Sequence, residues 1–350
     1  MKIFVTGSTG RVAEIVIEEL HRRGAEVIGF AIDPKEIKGV SEFHQGSVTD
    51  YEALKTAMKG CETVLHLAAL RMPYDAPEQV LFDVNVGGTF NVFKACAELG
   101  IKKLSVASSP NAIGYYFGVD IRDLSYLPVD GAHPSYTTDP YSFSKQAIEE
   151  IGRYFYRRFG ISSVFMRLGL EFTYKIEDLV KLESFRADLA SLRKLVDGLL
   201  ALPEKEAARE VRLIENGIDQ MRREAMTCGV PFKNGTEYVN DKLSKEQYIF
   251  NFYVHNFLMN LDSRDLASGM AAALESDITG SHDVFLADYA NMLGIESAKI
   301  APLLYPGAKV DYARLQGYDA LVDYRATESL IGWRAKYSLA DFYDTLYKNI

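Results

Sequence analysis

Tyr141 and Lys145 are the residues of this sequence whose types and spacing best suit catalysis. If Pro140 opens a helix, the two side chains lie one turn apart on the same face, and an ammonium group stands beside a phenol. A phenol has an ordinary pKa of about 10, and a nearby cation favours its phenolate form, so such a tyrosine can serve as a base near neutral pH. The spacing alone is common on helices, and its ordinary interpretation is a core tyrosine below an exposed lysine.

The hydroxyl of Ser109 is a third group that suits this chemistry. Residues 103–109 predict a buried strand that ends in Ser108 and Ser109. Ligands of parallel α/β sheets bind at the carboxyl ends of the strands, so this hydroxyl would face whatever a bound nicotinamide faces. A serine at a strand end is also a common cap or turn residue. Ser109 is therefore a candidate catalytic residue only in combination with Tyr141 and Lys145.

The elements that would position these groups begin at the N-terminus. Residues 2–5 predict a strand and residues 14–23 an amphipathic helix, joined by a glycine-containing turn. Gly7 permits the tight turn, Gly10 lets the backbone approach a pyrophosphate, and Ala13 is small enough for the helix to pack on the strand. The free amides at the helix N-terminus would bind the phosphates, so the segment predicts a dinucleotide site.

Strands and helices continue to alternate after this turn. Residues 46–50 follow a third strand and offer an edge for adenine, and residues 63–69 form a continuous apolar run of the type buried in parallel sheets. His66, inside this run, is interpreted as a core residue. Asn85 opens the segment Asn-Val-Gly-Gly-Thr in or near the next helix. The alternation predicts a doubly wound parallel sheet.

Length and composition narrow the classes of function. The chain has 350 residues, more than one typical domain, and a net charge of -9 without a basic face, which argues against nucleic acid as a partner. Cys61, Cys96 and Cys228 lack metal or disulfide spacing and are interpreted as ordinary thiols of a reducing compartment, so no metal site is predicted. The chain enters an apolar strand at once, leaving no room for a signal peptide, and no apolar run reaches the ~18 residues of a membrane span. We therefore expect a cytoplasmic protein without a membrane partner.

Seven short motifs, in register, resemble the extended short-chain dehydrogenase/reductases, also called the NAD-dependent epimerase/dehydratase family. They lie within residues 1–170, with weaker similarity at 261–267 and 323–333. In order, the motifs are Thr6-Gly7-x-x-Gly10-x-x-Ala13, Gly46 to Asp50, His66-Leu67-Ala68-Ala69, Asn85-Val86-x-Gly88-Thr89, Ala107-Ser108-Ser109, Tyr141-x-x-x-Lys145 and Arg167-Leu168-Gly169. Each motif is weak alone, and their shared order makes the resemblance specific.

The resemblance implies a role for each site residue. Tyr141 would be the general acid/base, Lys145 would hold the nicotinamide ribose and tune Tyr141, and Ser109 would polarise the substrate oxygen. The implied cofactor-binding residues are Gly7, Thr9, Gly10, Arg11, Val12, Asp33, Ser47, Val48, Leu67, Ala68, Ala69, Asn85, Ala107, Tyr141 and Lys145. The predicted fold is α/β, with a Rossmann-like doubly wound parallel sheet at 1–172, a mostly helical insertion at 173–255 and a smaller C-terminal substrate-binding part at 256–350, some segments of which return to the sheet.

The acid that pairs with the adenosine ribose in this family falls where this chain has Ala31. The nearest carboxylate is Asp33, which shares the face of Ala31 if the strand predicted at 26–32 continues. Asp33 would then favour NAD over NADP, and NAD is the predicted cofactor. If Asp33 only begins a turn, NADP is not excluded, and Arg11 and Lys35 are the candidate partners of its 2′-phosphate.

Within the family, residues 107–116 look most like the uronate dehydrogenases and related sugar dehydrogenases. Two departures put a uronate substrate in doubt: Pro110 replaces an asparagine, and Leu170 replaces the serine that those enzymes use near the substrate carboxylate. We therefore expect an NAD(P)-dependent oxidoreductase that acts on a secondary alcohol or lactol of a sugar-like substrate. A nucleotide-sugar epimerase with tightly bound NAD and a nucleotide-sensing protein with idle catalytic residues are the alternatives.

After Phe172 the family pattern stops. Apolar residues repeat at steps of three and four over 182–199 and 211–221, which predicts a helical hairpin with Pro203 in its turn. One interpretation is a solvated appendage whose two apolar faces bury each other. The other is that the hairpin caps the substrate cleft or pairs with another subunit, and a homo-oligomer is expected.

The segment beyond the insertion is rich in aromatic side chains at 248–261. Aromatic faces and amides suit a sugar, but such a run is more often core, and no catalytic role is assigned to His255. Arg264 and Asp265, at the start of the next predicted helix, are interpreted as a buried ion pair.

Overall fold

Parallel strands form the central sheet of the computed structural model, which describes residues 1–73, 76–120, 123–170, 172–227 and 243–348. Cys228 lies outside these ranges. The strands are β1 (Lys2–Thr6), β2 (Glu26–Ala31), β3 (Val40–Gln45), β4 (Thr63–His66), β5 (Lys103–Ala107), β6 (Tyr126–Leu127), β7 (Ser162–Leu168), β8 (Ser281–Leu286) and β9 (Lys309–Val310). The sheet order is β3-β2-β1-β4-β5-β7-β8, while β6 and β9 pair separately. The predicted doubly wound parallel sheet is confirmed.

Helices cover this sheet and build most of the C-terminal part. They are α1 (Arg11–Arg22), α2 (Tyr51–Ala57), α3 (Glu78–Phe82), α4 (Gly88–Leu99), α5 (Pro140–Phe159), α6 (Ile176–Leu179), α7 (Glu183–Leu200), α8 (Glu204–Thr227), α9 (Lys245–Ile249), α10 (Ser263–Glu275), α11 (Ser297–Leu304), α12 (Tyr324–Ile331) and α13 (Tyr343–Tyr347). Two π-helical turns, Asp83–Gly87 and Phe250–Val254, and two 3-10 turns, Pro110–Ile113 and Leu339–Phe342, complete the described elements. None of the helices in the described ranges is long and apolar enough to cross a membrane.

Both faces of the sheet are buried, which explains the continuous apolar runs in its strands. Alternate residues of β1 point to opposite faces: Ile3 and Val5 pack with α1 and α10, and Phe4 packs with α2, α4 and α5. The amphipathic stripe of α1, which includes Ile17, lies against the first of these faces. Burying each large apolar side chain contributes roughly 1.5–3 kcal/mol, so the sheet is a rigid base for the groups at its edge.

The predicted strands at 26–32 and 63–69 end earlier in the structure, at Ala31 and His66. β4 stops because the amides of Leu67 and Ala68 both donate to Oγ1 of Thr6, at 3.1 Å, which draws this segment away from strand pairing. The chain therefore leaves the sheet at its carboxyl edge, where ligands of such sheets bind.

The predicted hairpin is present as α7 and α8, which are joined through Pro203. Its buried residues, such as Leu192 and Val211, belong to the same apolar cluster as Ile300 of α11. The interpretation of a solvated appendage is therefore wrong, because the hairpin shares its core with the C-terminal part. The domain boundaries at 172 and 255 remain predictions.

The predicted ion pair between Arg264 and Asp265 is also wrong. The guanidinium of Arg264 donates to the carboxylates of Asp262 and Glu177. Asp265 instead accepts hydrogen bonds from the backbone amides of Lys336 and Tyr337, at 2.9 and 2.8 Å. The physical reason is geometric, since successive residues of a helix do not face each other.

Candidate active site

The turn between β1 and α1 has a shape that suits a pyrophosphate. Gly7 has a φ of +64°, in the left-handed region, and a Cβ placed on it would lie 2.8 Å from the amide nitrogen of Ala68. The Gly10 amide closes the turn by donating to the Gly7 carbonyl oxygen at 3.0 Å. Gly10 is the N-cap of α1, and no side chain caps this helix. The first amides of α1 therefore remain for phosphate oxygens, so the turn fits a dinucleotide.

The other predicted residues of this turn differ in exposure. Thr9 and Val12 are half-buried, and Arg11 is exposed. The guanidinium of Arg11 donates to Oγ1 of Thr173 at 3.3 Å. Arg11 therefore joins the turn to the start of the segment that follows β7.

A buried hydrogen-bond network fixes the loop of Leu67, Ala68 and Ala69. Oγ1 of Thr6 lies 2.6 Å from Nδ1 of His66, and Nε2 of His66 lies 2.9 Å from Oγ1 of Thr89. Thr89 donates its only hydroxyl proton to the carbonyl oxygen of Asn85 at 2.6 Å, so the imidazole proton must be on Nε2. Burial lowers the pKa of His66 to about 3 and keeps the ring neutral. His66 is thus a core residue, as predicted.

Asn85 connects this loop to the helix that carries Tyr141. It lies in the π-helical turn before α4, a type of irregularity that often occurs at functional sites. Its Oδ1 accepts from the Leu70 amide at 2.8 Å, and its Nδ2 donates to the Leu70 carbonyl oxygen and to Oγ of Ser144, both at 3.0 Å. The geometry gives Asn85 a positioning role, and its contact with a cofactor remains a prediction.

The predicted adenine edge lies where β3 ends. The Gly46 amide donates to the carbonyl oxygen of Ala31 at 2.9 Å, which joins this loop to the end of β2. Oγ of Ser47 hydrogen-bonds Oγ1 of Thr49 at 2.7 Å, and Val48 is buried. Ser47 and Val48 therefore lie beside the end of β2, where the predicted ribose partner should be.

Asp33 does not occupy the predicted place on the strand. β2 ends at Ala31, and Asp33 is exposed two residues further on. The condition under which Asp33 would share a strand face with Ala31 is therefore not met, because the strand does not continue, and a contact of Asp33 with the ribose remains a prediction. Lys35, one of the candidate partners of a 2′-phosphate, forms an ion pair with Glu14.

Ser108 and Ser109, which directly follow β5, face different surroundings. The hydroxyl of Ser108 donates to Oε1 of Glu149 at 2.7 Å, inside the core. Ser109 is the N-cap of the turn Pro110–Ile113, and its Oγ accepts from the Asn111 amide at 3.2 Å. In the described part of the chain the Ser109 hydroxyl has no acceptor, so its proton is available to a ligand.

The helix predicted to begin at Pro140 is α5, and Asp139 caps it by accepting from the Ser142 amide at 2.8 Å. Tyr141 is 7% exposed and Lys145 is 4% exposed. The Lys145 ammonium lies 5.8 Å from the centre of the Tyr141 ring and donates to the carbonyl oxygen of Ala107 at 2.9 Å. The ordinary interpretation, an exposed lysine above a core tyrosine, is therefore wrong.

The charge of Lys145 is held in a protein environment rather than in water. Burial lowers the pKa of Lys145 to about 8, opposed by the negative charge of Glu149. Lys145 is thus protonated at neutral pH and favours the phenolate form of a nearby tyrosine. One turn below it, Glu149 pairs with Arg167 at 2.8 Å, and both side chains are buried. This ion pair joins α5 to β7 and so fixes the position of Lys145 relative to the edge of the sheet.

Two residues near this site carry no signal in the sequence. Phe117 packs its ring edge-to-face against Tyr141, with ring centres 5.7 Å apart. Arg222, on α8, donates to backbone carbonyl oxygens on both sides of Phe117. Neither residue belongs to a motif, because long-range packing alone brings them to Tyr141.

A parallel sheet with a glycine turn at its carboxyl edge is the architecture of a dinucleotide-binding protein, and Ser109, Tyr141 and Lys145 lie buried at the same edge. Residues 3–175 match the model of the NAD dependent epimerase/dehydratase family. The chain belongs to this family, as the motifs predicted.

Two curated relatives are sugar dehydrogenases. The NAD-dependent glucose-6-phosphate dehydrogenase of Haloferax volcanii is 30% identical over 183 residues, which cover 48% of this chain and 67% of the relative. The uronate dehydrogenase of Pseudomonas putida is 27% identical over 175 residues, covering 49% of this chain and 61% of the relative. The matches thus span about half of this chain and roughly two thirds or less of each relative.

One solved structure covers nearly the whole chain. A short-chain dehydrogenase/reductase superfamily protein from Agrobacterium tumefaciens, crystallised with bound NAD, superposes with a TM-score of 0.60 over 99% of this chain and 96% of its own, at 21% identity. At this identity the match shows the fold. The family description and the NAD of that structure agree with NAD as the predicted cofactor and with an enzyme of the NAD-dependent dehydrogenase/epimerase type.

Proposed function

We propose that this chain is an NAD-dependent dehydrogenase that acts on a secondary alcohol or lactol of a sugar-like substrate, with Ser109, Tyr141 and Lys145 as catalytic residues. The observation that carries the proposal is the buried ammonium of Lys145, fixed to the Ala107 carbonyl oxygen and 5.8 Å from the Tyr141 ring. Burying a cation costs free energy. If the Lys145 ammonium serves to favour the phenolate form of Tyr141, that role explains why the fold keeps a buried cation despite this cost.

In the proposed mechanism each of the three catalytic residues has one role. Tyr141, as phenolate, removes the proton of the substrate hydroxyl, and the Ser109 hydroxyl donates to the same oxygen and stabilises its negative charge. As that proton leaves, the carbon–oxygen bond becomes a carbonyl and the carbon loses a hydride. NAD, when bound, supplies the acceptor of this hydride. Lys145 keeps Tyr141 ionised at the start of each cycle.

The residues that would hold the cofactor lie on the same edge of the sheet. Gly7, Gly10 and the amides of α1 would bind the pyrophosphate. One N–H of Lys145 goes to Ala107, so the other N–H groups of its ammonium would bind the ribose hydroxyls. Because these groups would bind the cofactor, the hydroxyl groups of Tyr141 and Ser109 remain for the substrate.

A carbohydrate substrate is supported by the two relatives, which are named for glucose-6-phosphate and for uronates. Leu170 and Pro110 argue against a uronate, since neither side chain can donate to a carboxylate. We therefore propose a neutral or phosphorylated sugar. Homo-oligomerisation and a cytoplasmic location remain predictions from the sequence.

Replacing Tyr141 by phenylalanine tests the mechanism. Tyr141→Phe removes the acid/base but keeps the ring against Phe117, so turnover should fall by about 10²–10⁴-fold while NAD binding stays within a factor of about two. Formation of NADH is followed with a panel of glucose, glucose-6-phosphate, arabinose, glucuronate and UDP-glucose. Binding of NAD is measured by calorimetry.

The matched control is Tyr154→Phe, which makes the same change on the exposed side of α5. It should keep wild-type turnover. Wild-type turnover in Tyr141→Phe as well would contradict the proposed acid/base. Normal NAD binding without turnover on the whole panel would instead favour a nucleotide-sensing protein.

An epimerase with no net redox change uses the same residues, and the family includes this activity by description. The epimerase differs from the dehydrogenase because it must keep its NAD tightly bound. Purified protein is denatured, any released nucleotide is identified, and the remaining empty sites are titrated with NAD and with NADP. Stoichiometric NAD surviving purification would favour the epimerase. An empty site that binds NAD reversibly would favour the dehydrogenase.

A further inference from the structure

The segment of residues 114–120, here called the 114–120 loop, begins one residue after the turn that Ser109 caps. Its Phe117 ring packs against Tyr141. On its other side, Oγ1 of Thr138 donates to the Val119 carbonyl oxygen at 2.8 Å, just before α5 begins. The loop therefore contacts the segment before α5 and covers one side of Tyr141, so its position affects the space beside the reacting oxygen.

Arg222 of α8 holds the middle of this loop. The side chain is 5% exposed, and its Nη1 donates to the Gly118 carbonyl oxygen at 2.6 Å. Its Nη2 donates to the Tyr116 carbonyl oxygen and, at 2.6 Å, to Oδ1 of Asn251. One rigid guanidinium thus fixes the backbone on both sides of Phe117.

Two more residues on the same face of α8 reach the loop. Oε1 of Glu215 accepts from the Tyr115 hydroxyl at 3.3 Å, and Oδ1 of Asp219 accepts from the Asp120 amide at 2.6 Å. Positions 215, 219 and 222 are spaced by four and three residues and so lie along one stripe of the helix. The stripe contacts the loop at its start, middle and end.

The positive charge of Arg222 also has an electrostatic effect at the start of α5. Asp139, the cap of that helix, is half-buried, and desolvation raises its pKa while hydrogen bonds with Ser142 and the positive charge of Arg222 lower it. The cation of α8 is thus close enough to act on the helix that carries Tyr141.

We propose that α8 of the inserted hairpin forms the outer support of the active site, and that Arg222 is a positioning residue which sets the 114–120 loop, and with it Phe117, against Tyr141. The effect of Arg222 on substrate binding rests on the proposed dehydrogenase function. The hairpin then acts as the element that adapts this chain to its own substrate, through the loop that it holds.

The test compares Arg222→Ala and Arg222→Lys with the wild type. Loss of the guanidinium should speed backbone hydrogen exchange in residues 114–120 by about tenfold, since hydrogen bonds from a charged group are among the stronger ones. KM for the best sugar of the panel should rise by a similar factor of about ten, with the Kd for NAD changed less than about twofold. Lysine keeps the charge but lacks the planar fork of donors that reaches two carbonyl oxygens, so it should lie between alanine and the wild type.

The control is Arg193→Ala in the other helix of the hairpin. Arg193 also donates from Nη1 to two backbone carbonyl oxygens, those of Leu293 and Gly294, at 2.8 and 3.4 Å. This variant should leave both the exchange of residues 114–120 and the KM unchanged. If Arg222→Ala fails to fold, Asp219→Ala removes the acceptor of the Asp120 amide, together with the partner of Arg223, and should accelerate exchange at Asp120.

The results distinguish a failure of the positioning role of Arg222 from a failure of the proposed dehydrogenase function. Unchanged exchange of residues 114–120 in both Arg222 variants would overturn the positioning role. Faster exchange with an unchanged KM would overturn the link to the substrate. A wild-type protein that neither binds NAD nor turns over any sugar would contradict the proposed function, while the exchange experiment would still decide the role of Arg222.

Discussion

Gly7 is a residue whose place in the fold excludes any side chain. Its backbone is left-handed, and an added Cβ would meet the Ala68 backbone. Gly7→Ala should therefore open the turn and weaken NAD binding by more than about tenfold, since even a small displacement misaligns the phosphate site. Calorimetric titration with NAD measures this loss.

Gly24→Ala is the matched control for Gly7→Ala. Gly24 is also left-handed, with a φ of +78°, but nothing lies within 4 Å of the place of its Cβ. Each variant therefore carries the backbone cost of roughly 1–2 kcal/mol, and only the variant at Gly7 carries the clash. Equal NAD affinities in the two variants would show that the contact with Ala68 is unimportant.

The sequence predicted the residues of the site where local geometry decides their position. Tyr141 and Lys145 are four positions apart in one helix, and the glycine turn is a local motif, so both could be recognised. The place of Asp33 beside Ala31 was predicted on the condition that β2 continues, and β2 ends at Ala31. Phe117 and Arg222 could not be predicted, because only tertiary packing brings α8 to the 114–120 loop.

At the scale of elements, apolar spacing predicted α7 and α8 but not the surface on which they pack. A repeat of three and four residues defines the buried stripe of a helix and says nothing about its partner. In the structure this stripe shares one core with α9 and α11. Deleting residues 180–225 would therefore expose that core, and single substitutions are the better test of the hairpin.

Leu192→Ala tests whether the hairpin is part of the fold. Leu192 is 0% exposed and Leu213, on the other helix, is 52% exposed. Removing the buried side chain should lower the free energy of unfolding by about 2–5 kcal/mol, and removing the exposed one should change it by less than about 0.5 kcal/mol. Urea unfolding of Leu192→Ala and Leu213→Ala gives both values.

A small effect at Leu192 would mean that the hairpin unfolds independently of the sheet. The wild-type protein would then show two unfolding transitions, one of them lost in Leu192→Ala. A single transition that shifts as a whole is the expected result, because the apolar cluster of the hairpin extends to residues that follow β8.

At the scale of the whole molecule, three buried aspartates make stability depend on pH. Burial raises the pKa of Asp265 to about 6 and that of Asp288 to about 7, and it also raises the pKa of Asp283. The folded protein therefore keeps protons that the unfolded chain has lost above about pH 4. Unfolding releases these protons, so the contribution of these three aspartates to stability should fall as the pH rises from about 4 to about 7.

Asp288 is the best place to measure this effect, because it joins the end of the sheet to the C-terminal segment. Its Oδ2 accepts from Oγ of Ser338 at 3.0 Å and from the Leu339 amide at 2.9 Å, and its Oδ1 accepts from the Ala290 amide at 3.2 Å. The hydrogen bonds oppose the rise in pKa, and burial outweighs them.

Asp288→Asn should be less stable than the wild type at acid pH, because an amide cannot accept all three hydrogen bonds. The difference in the free energy of unfolding should shrink as the pH rises from about 4 to about 7, by up to about 4 kcal/mol, since only the wild type pays for ionising this buried group. Asp265 and Asp283 are present in both proteins, so their titration largely cancels in the difference. Urea unfolding at several pH values measures it, and Asp344→Asn, an exposed carboxylate near the C-terminus, is the control. A difference that stays constant with pH would mean that Asp288 is already ionised in the folded protein, and that the donors of the C-terminal segment, rather than burial, determine its charge.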